Sequence, residues 1–314
     1  MLIGKPRREP ALFITTFEGY GDLIYHTPTL RILSKIYPHL DVWCKRPEPF
    51  LDNPYIKKLS IFDKTWPDST NIYGSRIFHV SVDSLVTFPH CNIHTTDLVS
   101  IKALHCVLRN EEKTLEAYWT KQDLNRVENL LAQHQINKKK FVVISPSITW
   151  ASRTLPLPFY QQIIAGVQQE GYQVILVGKE IFYSAGVDTD KTLYPASSFP
   201  QTICLYNQLS FAELCCLYSL TPIAINTENG NHPISCTNDY CWNLYIPTLT
   251  APEYRVPFRQ GSQTYKTAIA ANENNYYPAS IYGDTGATSY VTMPVQLPTV
   301  ERVLSVFRSI AARL

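Results

Sequence analysis

Long apolar runs, paired cysteines and a strong charge of either sign are missing from this 314-residue sequence, and each absence removes a class of protein. No apolar stretch approaches the roughly 18 residues that a membrane span requires. The opening MLIGKPRREP is charged where a signal peptide would carry its apolar h-region, so no secretory leader is expected. Cys44, Cys91, Cys106, Cys204, Cys215, Cys216, Cys236 and Cys241 are scattered and form no CxxC pair. Free, mostly buried thiols in a cytoplasmic protein are therefore expected, not a disulfide framework. A net charge of +2 gives no argument for a surface that seeks nucleic acid. No G-x-S-x-G elbow and no P-loop occur, so serine-hydrolase and P-loop kinase readings have no footing. His79, His90, Cys91 and His94 are close in sequence, but their spacing matches no closed four-ligand metal set.

What is present is the composition of a globular protein, 45% hydrophobic and 17% charged, long enough for two domains with separate cores. ALFITT (11–16) is a short apolar run that reads as a buried parallel strand. A glycine-containing turn follows, then a helix carrying Leu30, Ile32, Leu33 and Ile36 that stops before Pro38. LDVWC (40–44), LSIFD (59–63) and RIFHVSVD (76–83) read as further strands, with helices at 96–109 and 120–135. The polar, basic HQINKKK (134–140) has the composition of a linker. The pattern then repeats: strands FVVIS (141–145), YQVILVG (172–178), PIAIN (222–226) and CWNLYIPT (241–248) alternate with helices near 158–171 and 210–220. A last amphipathic helix follows Thr299, a candidate N-cap. Strand–helix–strand spacing of this kind predicts two α/β halves with parallel sheets. The turns at 17–22, 146–153, 178–180 and 227–232 all fall at strand carboxyl ends, where open parallel sheets bind ligands.

Three of these turns carry candidate chemistry. Gly19 and Gly21 are spaced G-x-G, but Ile24 stands where a dinucleotide fingerprint has its third glycine, and Asp41 lies at the wrong end of the second strand for the usual ribose acid. The glycines instead allow a tight turn that leaves Asp22 at a helix N-terminus. There an aspartate serves either as an N-cap or as a general base. In TENGNH (227–232), the backbone N–H groups of Asn229, Gly230 and Asn231 can form an anion site at a helix start. His232 can donate to a phosphate, and Glu228 can accept from sugar hydroxyls; an ordinary Asx turn with a structural histidine is the plainer alternative. Arg153, just past a strand end, is either a surface arginine or a bidentate partner for a diphosphate.

Gly21, Asp22, Thr27, Pro28, Leu30, Arg31, Tyr37 and Pro38 in GDLIYHTPTLRILSKIYP resemble the opening G-D…T-P-x-L-R…Y-P pattern of glycosyltransferase family 9, the ADP-heptose:lipopolysaccharide heptosyltransferases. VVISPS, SRTLPLPFY, YQVILVGKE, NTENGNHPIS and PTLTAPEYR follow in that family's order, so the likeness runs from about residue 11 to 260 and includes the C-terminal helix. The resemblance implies a GT-B fold, two Rossmann-like domains facing each other across a cleft. These would be an acceptor-binding domain over 1–138 and a nucleotide-sugar-binding domain over 139–314, the terminal helix able to pack back on the first. It implies an inverting transfer without a metal or other cofactor, with Asp22 as the base. Gly19, Gly21 and Thr27 would lie on the acceptor side, and Arg153, Glu228, Asn229, Gly230, Asn231 and His232 on the donor side.

The donor turn departs from the family's common N-D-T-G-x-x-H: Thr227 replaces the aspartate and Asn229 the first glycine, and Leu155 stands where a tryptophan is frequent. The donor sugar and nucleotide are left open by these changes. The partners expected are a nucleotide sugar and a saccharide acceptor. A hydroxylated base in DNA, met by basic residues such as Lys57, Lys58 or Lys138–Lys140, is the alternative acceptor, and a non-catalytic nucleotide-sugar-binding relative is the third class.

Overall fold

The computed structural model describes residues 6–61, 72–81, 95–109, 112–146, 155–178, 181–182, 191–192, 194–227, 229–238, 240–247, 267–270 and 297–314. Two parallel sheets organise them. In the first, β1 (Ala11–Thr15), β2 (Leu40–Cys44), β3 (Lys58–Ile61) and β4 (Ile77–Val80) lie in the order β3-β2-β1-β4. In the second, β5 (Phe141–Ile144), β6 (Gln173–Leu176), β9 (Ile203–Cys204), β10 (Ile223–Asn226), β11 (Trp242–Tyr245) and β12 (Thr267–Ile269) lie in the order β12-β11-β10-β5-β6-β9. A two-stranded antiparallel ribbon, β7 (Ile181–Phe182) with β8 (Lys191–Thr192), stands apart. Every residue of β1, β2, β5 and β10 is buried, which is why these strands show no alternation of apolar and polar residues, Asp41 in β2 and Asn226 in β10 being buried polar exceptions.

The helices are α1 (Tyr20–Ile24), α2 (Thr27–Ile36), α3 (Thr95–Leu104), α4 (Lys121–Gln133), α5 (Leu157–Gln169), α6 (Phe211–Leu220), α7 (Asn231–Ser235) and α8 (Val300–Ala311). Capping boxes at Thr120/Asp123 and Ser210/Glu213 start α4 and α6, and the Thr299 side chain accepts from the Arg302 N–H to start α8, as its sequence position predicted. Among the described residues no helix is long and apolar enough to cross a membrane. The described cysteines are free thiols, most of them buried; burial pushes Cys44 up to about 12 and Cys216 to about 11, which keeps both as thiols. Cys91, His90 and His94 lie outside the described residues.

Two packing relations differ from the division expected after residue 138. Helix α4 packs on α6, placing Val127 and Leu131 in a core with Cys215, Cys216 and Leu217, so it belongs to the second sheet although it precedes the polar 134–140 segment. Among the described residues, helix α8 packs on the second half. Its Val303, Leu304, Phe307 and Ile310 pack with Ile163, Ile164 and Val167 of α5, where Gly166 leaves space that a Cβ would fill 2.5 Å from Leu304 Cδ1. The amphipathic face of α8 thus covers its own sheet.

The turn after β1 also differs. A single helix was expected there, but the chain makes one short helix, α1, turns at Tyr25–His26, and starts α2 with Thr27 and Pro28. Helix α1 packs on α7 of the second half. Their contact is backbone to backbone: a Cβ on Gly21 would lie 2.6 Å from Gly230 Cα and 3.1 Å from Pro233 Cγ. The Tyr20 ring meets Phe211 edge-on at 5.0 Å, and its hydroxyl donates to Glu48 Oε1 at 3.0 Å, flanking that contact. Gly21→Ala must displace one half from the other, whereas a Cβ on Gly230 would meet Gly21 N at 3.3 Å and need only a few tenths of an ångström. In urea unfolding, Gly21→Ala should lose about 1–3 kcal/mol, the usual cost of overpacking, and Gly230→Ala distinctly less. Equal losses would show that the two glycines are not in this asymmetric contact.

Candidate active site

In an open parallel sheet the ligand crevice lies beyond the strand carboxyl ends, where connections diverge to either side. Each sheet has such a point. In the first, β1 is flanked by β2 and β4, and its carboxyl end leads into α1. In the second, β5 is flanked by β6 and β10, and the carboxyl ends of β5 and β10 lead to Ser145 and to the turn before α7. The contact of Gly21 with Gly230 joins these two points, so the residues after β1 and those after β10 are neighbours.

Asp22 sits on the first side. It is not the N-cap of α1: Gly19 holds that position, with extended backbone (φ −74°, ψ 123°), and Asp22 is the third helical residue. A carboxylate there complements the helix dipole without being consumed as a cap. The chain bends its Oδ2 back over Gly19, 2.6 Å from where a Cβ would stand, so glycine at 19 makes room for the carboxylate. Asp22 is half-buried, and among the described residues no side chain hydrogen-bonds or pairs with its carboxylate. Neighbouring Glu18 is exposed and pairs with Lys45.

Behind Asp22 lies His26, which is wholly buried. Its Nδ1 is 2.8 Å from the Asp22 carbonyl oxygen and its Nε2 is 3.2 Å from Thr15 Oγ1 at the end of β1. Desolvation is the main cause that pulls its pKa down to about 4, against a smaller opposing effect of the Asp22 carbonyl. His26 is therefore neutral and sequestered, and cannot be an acid or base that meets solvent.

Two expectations for the first side are corrected. Thr27 is fully buried and contacts no cleft: its hydroxyl donates to the Ile24 carbonyl at 2.8 Å and accepts from the Glu116 N–H at 3.1 Å. Arg31 works on the same segment, donating to the Glu112 and Thr114 carbonyls and pairing with the Glu116 carboxylate at 2.6 Å. Gly21, expected to let an acceptor approach, is covered by Gly230 instead.

On the second side, Asn229 and Asn231 tie the turn to Ser145. Asn229 Nδ2 donates to the Ser145 carbonyl at 3.3 Å, and Asn231 Nδ2 donates to Ser145 Oγ at 2.8 Å. Asn229 Oδ1 also accepts from the Asn231 N–H at 2.9 Å and the His232 N–H at 3.3 Å, while the Asn229 N–H donates to the Thr227 carbonyl. Two of the three N–H groups expected to face an anion are thus used within the turn, and Gly230 carries the remaining one. His232 is 2% exposed and stacks on Tyr245 at 4.2 Å, with its Nδ1 3.9 Å from Cys236 Sγ. As placed, its ring supports the turn from behind. Arg153 and Glu228 lie outside the described residues.

A buried polar cluster beneath α7 has no counterpart in the sequence reading. Asn226 Nδ2 donates to Ser235 Oγ at 2.9 Å and to Asn243 Oδ1 at 3.1 Å, and Ser235 Oγ donates to the His232 carbonyl at 2.8 Å. The available signal was the placement of Ser145 and Asn226 at the ends of otherwise apolar strand runs. Among the described residues no three His, Cys, Asp or Glu side chains converge as ligands that would fit iron or another metal.

No protein-family model matches the chain, and no curated protein is significantly similar to it in sequence. Solved structures do match. The glycosyl transferase family 9 protein from Veillonella parvula DSM 2008 aligns with a TM-score of 0.65 at 13% identity, covering 99% of this chain and 100% of that one. E. coli ADP-heptose lipopolysaccharide heptosyltransferase II aligns at 0.54 and 12% identity, over 96% and 99% of the two chains. The iron-containing dodecameric heptosyltransferase TibC, in complex with ADP-D-β-D-heptose, aligns at 0.67 and 14% identity, over 99% and 78%. The chain has the two-sheet α/β fold of these glycosyltransferases, in agreement with the GT-B architecture that its motifs imply.

The state of His26 fixes a pH dependence. Its folded pKa of about 4 lies below the ordinary histidine value of 6.5, so the unfolded chain binds the proton more readily. Its contribution is fully present above about pH 6.5 and is lost as pH falls toward 4, by up to about 3 kcal/mol for a shift of this size. Urea unfolding of the wild type and of His26→Asn between pH 7 and 4.5 should show a steeper loss for the wild type. Parallel profiles would place His26 in contact with water.

Proposed function

We propose that this protein is an inverting glycosyltransferase that moves a sugar from a nucleotide-sugar donor to a saccharide hydroxyl, with Asp22 as the general base. The observation that carries the reading is a half-buried carboxylate, without a partner among the described side chains, at the ligand-binding end of one parallel sheet, directly across a glycine contact from the corresponding end of the other. Beyond complementing its helix dipole, this carboxylate has no structural task among the described residues, where it neither caps its helix nor forms an ion pair.

In the proposed reaction the acceptor hydroxyl oxygen forms the new bond to the anomeric carbon and loses its proton to the Asp22 carboxylate. The bond from that carbon to the diphosphate breaks on the opposite face, and the nucleoside diphosphate leaves with the electron pair. The diphosphate is assigned to the second half, beside Gly230 and Asn231, with Arg153 as its cationic partner. Because Asn229 already occupies the Asn231 and His232 N–H groups, this side offers few free backbone donors, and a cationic side chain carries more of the leaving-group charge. The donor is assigned as ADP-heptose-like, on the resemblance of the G-D…T-P-x-L-R segment and on the ADP-heptose complex of a protein with this fold. No metal is assigned a role.

Asp22→Asn is the decisive variant, since it keeps size and hydrogen bonding while removing the base. Nucleoside-diphosphate release from ADP-heptose, assayed with excess EDTA present, should fall roughly 10²-fold or more, with ADP affinity by calorimetry nearly unchanged. Wild-type turnover in the variant would remove Asp22 from the chemistry, and an EDTA-sensitive wild type would remove the metal-free mechanism. Separately, Arg153→Ala should weaken ADP binding by about 1.5–3 kcal/mol, the worth of a hydrogen bond to a charged group. Unaltered titrations would take Arg153 out of the donor site.

A further inference from the structure

We propose that His26 is the positioning residue of Asp22, holding the short helix that carries the carboxylate in one orientation against the end of β1. This inference rests on the reading of Asp22 as the base. The hydrogen-bond directions follow from the partners. The Asp22 carbonyl only accepts, so His26 Nδ1 must carry the hydrogen and donate to it at 2.8 Å. Neutral Nε2 then accepts, and the Thr15 hydroxyl at 3.2 Å must be its donor. The Thr15 oxygen in turn accepts from the Phe17 N–H at 3.3 Å. A directed chain therefore runs from the turn after β1, through Thr15 and the imidazole, to the backbone of Asp22 itself.

The ring has little room to turn. Phe13 and Phe17 meet it edge-on, at 5.0 Å for Phe17, and burial keeps it neutral. Helix α1 needs such an anchor. It has five residues, its N-cap Gly19 has no side chain to cap it, and a single helical turn is not stable alone. Leu23 and Ile24 are buried in the cores on either side, Gly21 meets Gly230, and Tyr20 reaches Glu48 and Phe211, but among the described residues the side chain that hydrogen-bonds to the backbone of Asp22 itself is His26. Without the imidazole, the Asp22 carbonyl would lose its hydrogen-bonded tie to Thr15 at the end of β1.

The test has two parts. In ¹⁵N-labelled wild type, NMR should report the neutral Nδ1–H tautomer of His26 from pH 8 to 5.5; the Nε2–H tautomer or a charged ring overturns the proposal without any variant. Asparagine places an N–H donor near the position of Nδ1, whereas leucine does not. In His26→Leu, amide exchange at Leu23 and Tyr25 should accelerate at least tenfold, and ADP release from ADP-heptose should drop tenfold or more with the donor KM within twofold. His26→Asn should restore at least a third of both. His26→Leu added to Asp22→Asn should cost no further turnover. Slow exchange with normal turnover in His26→Leu, or no recovery with asparagine, refutes the positioning role. A fully active Asp22→Asn instead refutes the base, and the exchange rates then still judge whether His26 holds α1. Should His26→Leu fail to fold, Thr15→Val removes the same chain at its other end and is read by the same two measurements.

Discussion

The approach of Gly21 to Gly230 is the constraint on which the site depends. Two parallel sheets each offer a ligand crevice, but a crevice on one sheet only becomes a two-substrate site when the other is brought against it in a fixed register. Here the register is set by backbone atoms, because a Cβ on Gly21 would stand 2.6 Å from Gly230 Cα. Backbone contacts have no rotamers to adjust, so the distance between Asp22, one residue further on, and Asn231, one residue beyond Gly230, is fixed almost entirely by the fold. The aromatic pair Tyr20–Phe211 and the Tyr20–Glu48 hydrogen bond then limit rocking about that point.

Thr27 and Arg31, in the most recognisable stretch of the sequence, are engaged in contacts within the fold. Thr27 and Arg31 hold the strap at 112–116 across α2, and the ion pair of Arg31 with Glu116 is mostly buried, which makes its geometry stringent. That strap leads into α4, which lies on the second sheet. The motif therefore links the carboxylate-bearing turn to the segment that crosses between the halves. Of the two charged side chains in GDLIYHTPTLR, Arg31 is engaged in this strap, whereas the Asp22 carboxylate has no side-chain partner among the described residues.

The strands and long helices were legible because their signals are local. ALFIT and FVVI are buried on both faces and read as unbroken apolar runs, and Thr299 announced its helix by the ordinary N-cap chemistry. The short strands at 203–204 and 267–269 were not, since two or three residues carry no period. Residues 20–26 were misread for a related reason. Nothing in GYGDLIYH distinguishes a turn from one turn of helix, and the decision comes from His26 and Gly230, one packed beneath and one from the other half. Asp22 was legible as a candidate but its position was not, because N-cap and third helical residue differ only in where the helix begins. The role of α4 was hidden by the polar 134–140 stretch, whose composition is that of a linker although the packing boundary lies before Lys121.

The departures in the donor turn acquire a physical meaning once Asn229 is seen to cap it. A glycine at 229 would leave the N–H group of Asn231 free to receive an anion, while that of His232 would keep the carbonyl of residue 229 as acceptor. Asparagine satisfies both from its own Oδ1 and, through Nδ2, fastens the turn to Ser145. The turn is thereby made rigid at the expense of its capacity to bind phosphate through the backbone. A rigid turn also suits its second task, because Gly230 within it is the surface against which Gly21 is seated. Thr227, in place of an acid, is buried at the start of the same turn and carries no charge. The two substitutions thus act in one direction. Asn229 and Thr227 hold the turn in place, where Gly230 receives Gly21 between the halves.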